Sequence, residues 1–549
     1  MKKTMTPWRR FIGLLQLDKK DIKQIFYYAI FAGLVALTLP LGIQAIVNLI
    51  QGAQVSTSWI VLVVLVTLGV AFQGILQLMQ IRILENIQQK IFTRSSFEFA
   101  YRFPKIKMNE LRNYYPPELA NRFFDTLTVQ KGLSKILLDF PAAFLQIIFG
   151  LTLLSFYHPF FIIYGIMLVL LIYVVFKFTA LRGLETSLNE SKHKYRVAHW
   201  IQEVARSLLS FKLSGKTHLS MERNDALTTD YLEARESHFR VLVLQFIQMI
   251  GFKVLVTAGL LVIGGLLVLN QQMNIGQFVA AEIIILLVIN SVEKLITGLE
   301  EFYDVLTALE KIGQVVDKEL EPQEGENPFL TDQPIRLELE NVSFITPENK
   351  QVLNNINLTV TKDNRILLDG LSGSGKTTLL KVMSGLTNLT SGSIFINDFS
   401  MTGVHPNSFR AHVGQVLPNQ LPFEGTILEN ITFGDPSITK DHLQEVLSNL
   451  GLLPFVKEQP NGINTVLYSD GSKLPFTIAR RIILARAIIN TPQLLLLKDP
   501  LEHCDVEDAE KIISYLCHPN RPWALVVASR NPLWKKYASQ RITLEKGTI

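Results

Sequence analysis

Between Gln24 and Ile81 the chain carries no Asp, Glu, Lys or Arg. Phe140–Phe176 and Val254–Ala281 are equally free of them. A helix needs about 20 apolar residues to cross a bilayer. Each of the first two stretches is long enough for two crossings joined by a turn. The third supplies two more if Lys253 and Glu282 are tolerated. The pattern predicts six spans near 25–50, 58–80, 140–156, 159–178, 242–268 and 275–297. A mean hydropathy of +0.25, high for a soluble protein, agrees.

The turns between paired spans, "QGAQVSTS", "FYHPF" and "NQQMN", are short and uncharged. Charge collects on the other side, beginning with Lys2, Lys3, Arg9, Arg10, Lys19, Lys20 and Lys23. Positive residues stay cytoplasmic, so both termini are placed inside. No small-residue cleavage site follows the Arg9–Arg10 pair, so a removed signal peptide is not expected. The membrane flanks account for most of the net charge of +5, and nothing calls for nucleic acid. Cys504 and Cys517 follow the last span without metal-binding spacing and read as plain thiols.

Charged, helix-compatible sequence fills Arg82–Asp139 and Lys177–Arg240. These segments are too long for turns. They read as spans that run on into the cytoplasm, reverse and return. The reversals are expected in "RNYYPPELANRFFD" (Arg112–Asp125) and "FKLSGKTHLSMERND" (Phe211–Asp225), where the helix breakers fall. Such tips could press on a soluble domain. "EPQEGENPFLTDQP" (Glu321–Pro334) is polar and aperiodic, and reads as a linker. Beyond it, strand-like runs such as "RLELENVSF" alternate with helix-like runs such as "IILARAII". That alternation argues for an α/β domain. The expected division is a membrane domain at 1–320, a linker at 321–334 and an α/β domain at 335–549.

The chemistry is concentrated in "ILLDGLSGSGKTTLLKVM" (Ile366–Met383). A buried strand leads into Gly370-x-x-x-x-Gly375-Lys376-Thr377, and a helix follows. Glycines let the backbone wrap around phosphates and aim N–H groups at them. The helix N-terminus adds a favourable dipole. ATP is the expected ligand, held by Gly370, Ser372, Gly373, Ser374, Gly375, Lys376, Thr377 and Thr378. Lys376 should reach the β- and γ-phosphates, and Thr377 should offer its hydroxyl to Mg²⁺. The bland alternative is a glycine-rich turn before a helix.

Six spans, long cytoplasmic helices and a downstream phosphate loop resemble one half of an ATP-binding-cassette exporter. The resemblance covers nearly the whole chain. "ELANRFFD" and "GQFVAAEIIILLVINSVEKL" look most like bacterial type I secretion and bacteriocin exporters. It implies a six-helix transmembrane domain followed by a P-loop ATPase domain, in a bacterial inner membrane. It also implies a second half-transporter as partner, together with a periplasmic adaptor and an outer-membrane channel. Many such exporters begin with a peptidase domain. With about 20 residues ahead of the first span, none is expected here.

The resemblance also assigns positions whose residues depart from the family pattern. "LLLLKDPLEHCD" lies over a strand followed by D-E-P-T-S-A-L-D. Lys498 therefore stands at the Walker B aspartate, and Asp499 at the general-base glutamate. Ser529 stands at the switch histidine, Pro418 at the Q-loop glutamine with Gln415 and Gln420 close by, and Thr346 at the adenine-stacking aromatic. Leu474–Ile478, "LPFTI", replaces L-S-G-G-Q, while Asp505 of the D-loop is kept. The apolar frame persists at each place, which argues against a misread register. The resemblance then implies a cassette that holds ATP and hydrolyses it poorly, with Mg²⁺ in doubt. Lys498 has two readings: drift at a released site, or an ammonium standing in for part of the Mg²⁺ charge.

Two functions stay open. One is the non-catalytic half of an exporter of a peptide, protein or other substrate, as homodimer or heterodimer. The other is a cassette-derived membrane scaffold or regulator. Glu282 falls near mid-membrane, where carboxylates usually face a pathway, although an inter-helix hydrogen bond would serve equally. Lys253 reads as a membrane-edge anchor, roughly 13 Å away in depth, and is not expected to pair with Glu282.

Overall fold

In lipid a backbone can satisfy its polar groups only within a helix or a closed barrel, and the long apolar runs fold accordingly. The computed structural model describes residues 5–52, 57–329 and 333–549. Its internal contacts divide the chain into two compact units: Met1–Pro104 with Asn113–Lys318, and Lys105–Arg112 with Glu319–Ile549.

The first unit is helical: α1 (Pro7–Leu17), α2 (Lys19–Ala36), α3 (Thr38–Gln51), α4 (Thr57–Arg102), α5 (Pro116–Ala120), α6 (Asp125–Tyr157), α7 (Phe160–Arg206), α8 (Leu208–Leu213), α9 (Leu219–Leu269) and α10 (Ile275–Val316). Among the described residues five helical stretches are long and apolar enough to cross a membrane: Lys19–Gln51, Thr57–Lys105, Pro116–Tyr157, Leu219–Leu269 and Ile275–Val316. The fourth expected span, 159–178, lies in α7, where several side chains between 164 and 180 fall outside the described residues.

Two details differ from the sequence expectation. The first span is interrupted at Leu37, between α2 and α3. Pro40 has no N–H for the carbonyl one turn back, and the Thr38 hydroxyl donates to Val35 O at 2.7 Å beside the break. The first reversal also begins earlier than Arg112. Helix α4 ends at Arg102, and short 3₁₀ turns follow at Phe103–Lys105 and Met108–Leu111. Pro104 sits in the first of them and cannot continue the helix. The second reversal follows α8 at Gly215, whose φ of +70° suits glycine.

Helix α10 starts on a capping box between Asn274 and Gln277. Its buried residues Ala281, Ile284, Ile285, Val288 and Val292 recur every three or four positions, the spacing of one helix face. They pack with Leu154, Val256 and Leu260.

The second unit holds β1 (Arg336–Ile345), β2 (Gln351–Thr361), β3 (Arg365–Asp369), β4 (Ser391–Ile396), β5 (Phe399–Ser400), β6 (Val413–Val416), β7 (Gly425–Thr426), β8 (Val466–Leu467), β9 (Leu494–Lys498), β10 (Ala524–Ala528) and β11 (Gln540–Thr543). Among the described residues these form an antiparallel sheet in the order β2-β1-β4-β5, a parallel sheet in the order β11-β3-β10-β9-β6, and the pair β7-β8. Strands covered on both faces read as continuous apolar runs, which explains "LLLL". Leu495 and Leu497 join one core with Leu367, Leu525 and Val527. Leu494 and Leu496 join the opposite core with Ile366, Leu368 and Val526. At about 1.5–3 kcal/mol for each buried leucine, this alternation fixes the strand register.

The linker is tied down where it is described. Lys107 N donates to Glu319 O at 3.0 Å, and Glu321 N donates to Lys105 O at 2.8 Å. Both guanidinium nitrogens of Arg410 reach Glu321 at 2.7 Å. The Phe329 ring stacks on His412 at 4.1 Å between centroids. Residues 330–332 of the expected linker lie outside the described residues.

Candidate nucleotide site

The phosphate loop follows β3 and opens α11 (Lys376–Met383). Gly370, Gly373 and Gly375 take φ values of +135°, +83° and +105°. Space adds to this demand at two of them. A Cβ on Gly370 would lie 2.3 Å from Leu544 O, and one on Gly375 would lie 2.9 Å from Val352 O. The C-terminal segment braces the loop from behind: Leu544 N donates to Asp369 O at 2.9 Å, and Gly547 N to Ser374 O at 3.1 Å.

Lys376 is buried at 9% exposure, and its ammonium is held by the loop. Nζ donates to Gly370 O at 2.6 Å, Leu371 O at 2.8 Å and Ser374 Oγ at 3.2 Å. Burial pushes its pKa below the ordinary lysine value, and the nearby charges of Lys498 and Arg530 push it further. The Asp369 carboxylate is held below its usual range by the Gly370 N–H at 2.7 Å, and Arg541 also pairs with it. Ser372 and Gly373 are exposed, while Thr377 and Thr378 are half-buried.

Lys498 closes β9, and β10 lies between β9 and β3. Its ammonium forms an ion pair with the Asp499 carboxylate. Asp499 has a left-handed φ of +43°. Its N–H donates to Ala528 O at 2.9 Å, and its Oδ1 accepts from Arg530 N at 3.3 Å. Both carboxylate oxygens are therefore engaged. Ser529, just beyond β10, accepts from Asn531 N at 3.2 Å. A hydroxyl so placed closes a turn.

The remaining positions show the same local use. Gln420 Oε1 accepts from Leu417 N at 3.0 Å beside half-buried Pro418, and Gln415 in β6 pairs with Leu496 of β9. Thr346 closes a turn, accepting from Lys350 N at 3.4 Å, and offers no aromatic face. Pro475 precedes helix Phe476–Ile488, and Phe476 is 46% exposed with its ring at a steep angle to that of His503, 5.7 Å between centroids. Asp505 stands at the N-cap of helix Val506–Cys517 without a side-chain cap hydrogen bond.

Mg²⁺ demands near-octahedral oxygen ligands. Here the strand end that would supply a carboxylate supplies an ammonium, and the next carboxylate is already paired. In a phosphate-loop site most of those oxygens come from phosphates and water, and the protein adds one or two carboxylates. Thr377 keeps its hydroxyl, but the carboxylate at the end of β9 is replaced and the next one is engaged, so the donors do not fit the ion.

Sequence reasoning passed over two contacts. Arg530 reaches the site through its backbone and its charge. Its signal was present in "ASR", where β10 ends. Lys253 pairs with Glu293 at 2.5 Å, a partner 40 residues away that no local spacing announces. Glu282 is exposed on α10.

A phosphate loop on a parallel sheet, in a chain with helices fit to cross a bilayer, defines a membrane protein with a nucleotide-binding domain. The ABC transporter transmembrane region model matches residues 24–292, and the ABC transporter model matches 353–502. The chain belongs to the ATP-binding-cassette transporters. It is 28% identical over 306 residues to the alpha-hemolysin translocation ATP-binding protein HlyB of Escherichia coli O157:H7, covering 56% of this chain and 43% of that protein. It is 27% identical over 390 residues to a putative export ATP-binding/permease protein of Rickettsia bellii, covering 70% and 67%. The leukotoxin export ATP-binding protein LtxB of Aggregatibacter actinomycetemcomitans is 29% identical over 320 residues, covering 57% and 44%. The match thus spans less than half the length of the two toxin exporters. The fold is that of a solved bacterial Atm1-family ABC exporter with ATP bound, with a TM-score of 0.85 at 16% identity and coverage of 97% of this chain and 94% of that one.

Proposed function

We propose that this chain is one half of a bacterial inner-membrane exporter for a peptide or protein, and that it couples ATP binding more than its own ATP hydrolysis to transport. In this reading residues 1–320 form a six-span membrane domain with both termini cytoplasmic, and 335–549 form the cassette. A second half-transporter completes the dimer, and an adaptor and outer-membrane channel carry the substrate onward. The observation that carries it is the ion pair of Lys498 with Asp499 beside an intact phosphate loop. A general base must be free to take a proton from the attacking water. Asp499 is paired, and its carboxylate is one methylene shorter than glutamate. Phosphoryl transfer rests on positioning and electrostatic stabilisation, and Ser529, Pro475 and Phe476 supply neither in the usual way.

The test combines turnover with transport. The purified chain alone should hydrolyse ATP about 10²–10⁴-fold more slowly than a cassette with an effective general base. Cells lacking it should stop exporting the cargo, and Lys376→Ala should reduce that export. Brisk turnover by the chain alone overturns the impaired-hydrolysis reading. Undiminished export without the chain favours a scaffold or regulator.

A further inference from the structure

We propose that this chain takes its nucleotide without a divalent cation, with the Lys498 ammonium supplying part of the charge that the ion would supply. The inference deepens the reading of Gly370–Thr378 as a nucleotide site and rests on it. The donor set is the starting point. Thr377 keeps a hydroxyl at the head of α11, but β9 ends in a cation where the ion needs an anion. Asp499 does not make up the difference. One oxygen is paired with Lys498 and the other accepts from Arg530 N, while the residue's left-handed backbone and its bond to Ala528 O hold it in place. A divalent ion brought to this point would meet an ammonium before it met a free carboxylate, and like charges at contact distance repel.

The same arrangement suits a bare polyphosphate. The Lys376 ammonium is held by the loop carbonyls, and Lys498 and Arg530 stand close enough for their charges to act on it. Asp369 and Asp499 are the opposing charges, and Asp369 is paired with Arg541 outside this set. The balance around the loop is positive. Free ATP carries two more negative charges than its Mg²⁺ complex, so this site should prefer the free form. Lys498 is half-buried at the end of β9, and its flexible four-carbon stem would let the ammonium exchange Asp499 for a phosphate oxygen.

The test measures ATP binding to the purified full chain in nanodiscs, once with EDTA and once with excess Mg²⁺. Binding should be retained in EDTA and should weaken by about tenfold on adding Mg²⁺. Mn²⁺ with ATP should give no protein-bound metal signal by electron paramagnetic resonance. Lys498→Met keeps an unbranched side chain one atom shorter and removes its charge, so the advantage of EDTA should disappear. Lys498→Asp should make binding better with Mg²⁺ than without. Binding that requires Mg²⁺ in the unaltered chain, or a bound Mn²⁺ signal, overturns this inference alone. Absence of binding in both arms overturns the nucleotide-site reading as well.

Discussion

Strands β3 and β9 have the same burial, four residues inside and the fifth half-exposed, yet one ends in Asp369 and the other in Lys498. Their apolar residues divide between the same two cores. After β3 the backbone keeps three glycines in left-handed φ, braced by Leu544 and Gly547. After β9 the chain places an ammonium against a carboxylate. The difference teaches that burial of a strand and chemistry at its tip are set separately. The leucines are held by the packing that fixes the sheet. The residue at the exit faces the site and can change sign without disturbing it.

The sharpest way to break the contrast is Lys376→Ala. Hydrogen bonds to a charged group contribute about 1.5–3 kcal/mol, so ATP affinity should fall roughly 10–100-fold, as measured by titration with a fluorescent analogue. Retained affinity would mean that the two strand ends do not differ as argued. Next comes Gly375→Ala, which places a Cβ against Val352 O at a φ unsuited to alanine. A cost of about 1–3 kcal/mol should appear as a lowered Tm together with weaker ATP binding. The pair Lys498→Asp with Asp499→Glu sharpens the comparison from the other side. Turnover should rise by less than about tenfold, because general base catalysis works only in a positioned site, and "LPFTI" and Ser529 remain. Full recovery in a phosphate-release assay would show that the tip of β9 is the sole bottleneck.

A smaller effect tests the electrostatics of the loop. Lys376 has a lowered pKa in the protein without ligand. At any pH where part of it is deprotonated, bound phosphates favour the charged form. ATP binding should therefore take up a fraction of a proton, which calorimetry in buffers of different ionisation enthalpy would detect. Zero uptake or proton release would contradict the sign. Glu293→Gln should lower the Tm, since it leaves the Lys253 ammonium without its carboxylate partner on the membrane-fit helices.

The membrane-fit stretches, the phosphate loop and the buried strands were legible because each depends on local pattern: absence of charge, glycine spacing and continuous apolar residues. What was not legible depends on distant partners. Lys253 finds Glu293 across two helices, and only packing brings them together. The intervention of β10 between β3 and β9 is a matter of topology. The engagement of both Asp499 oxygens needed the position of Arg530 N, 31 residues away. The interruption at Leu37 was available in principle from Pro40, but a charge-free run hides a break that hydropathy does not register.

The tie between Lys105–Arg112 and the start of the linker bears on how such chains can be recombined. Ile106 pairs with Leu320 in a β-bridge, and Lys107 meets Glu319 through both backbone and side chain. A graft that exchanged only the sequence after residue 320 would carry away Glu321, which holds Lys105 O, and leave the rest of that bridge behind. The exchangeable module is discontinuous. A hybrid gene should keep this bridge whole when residues 105–112 travel with 319–549, and lose it when a single crossover point divides them.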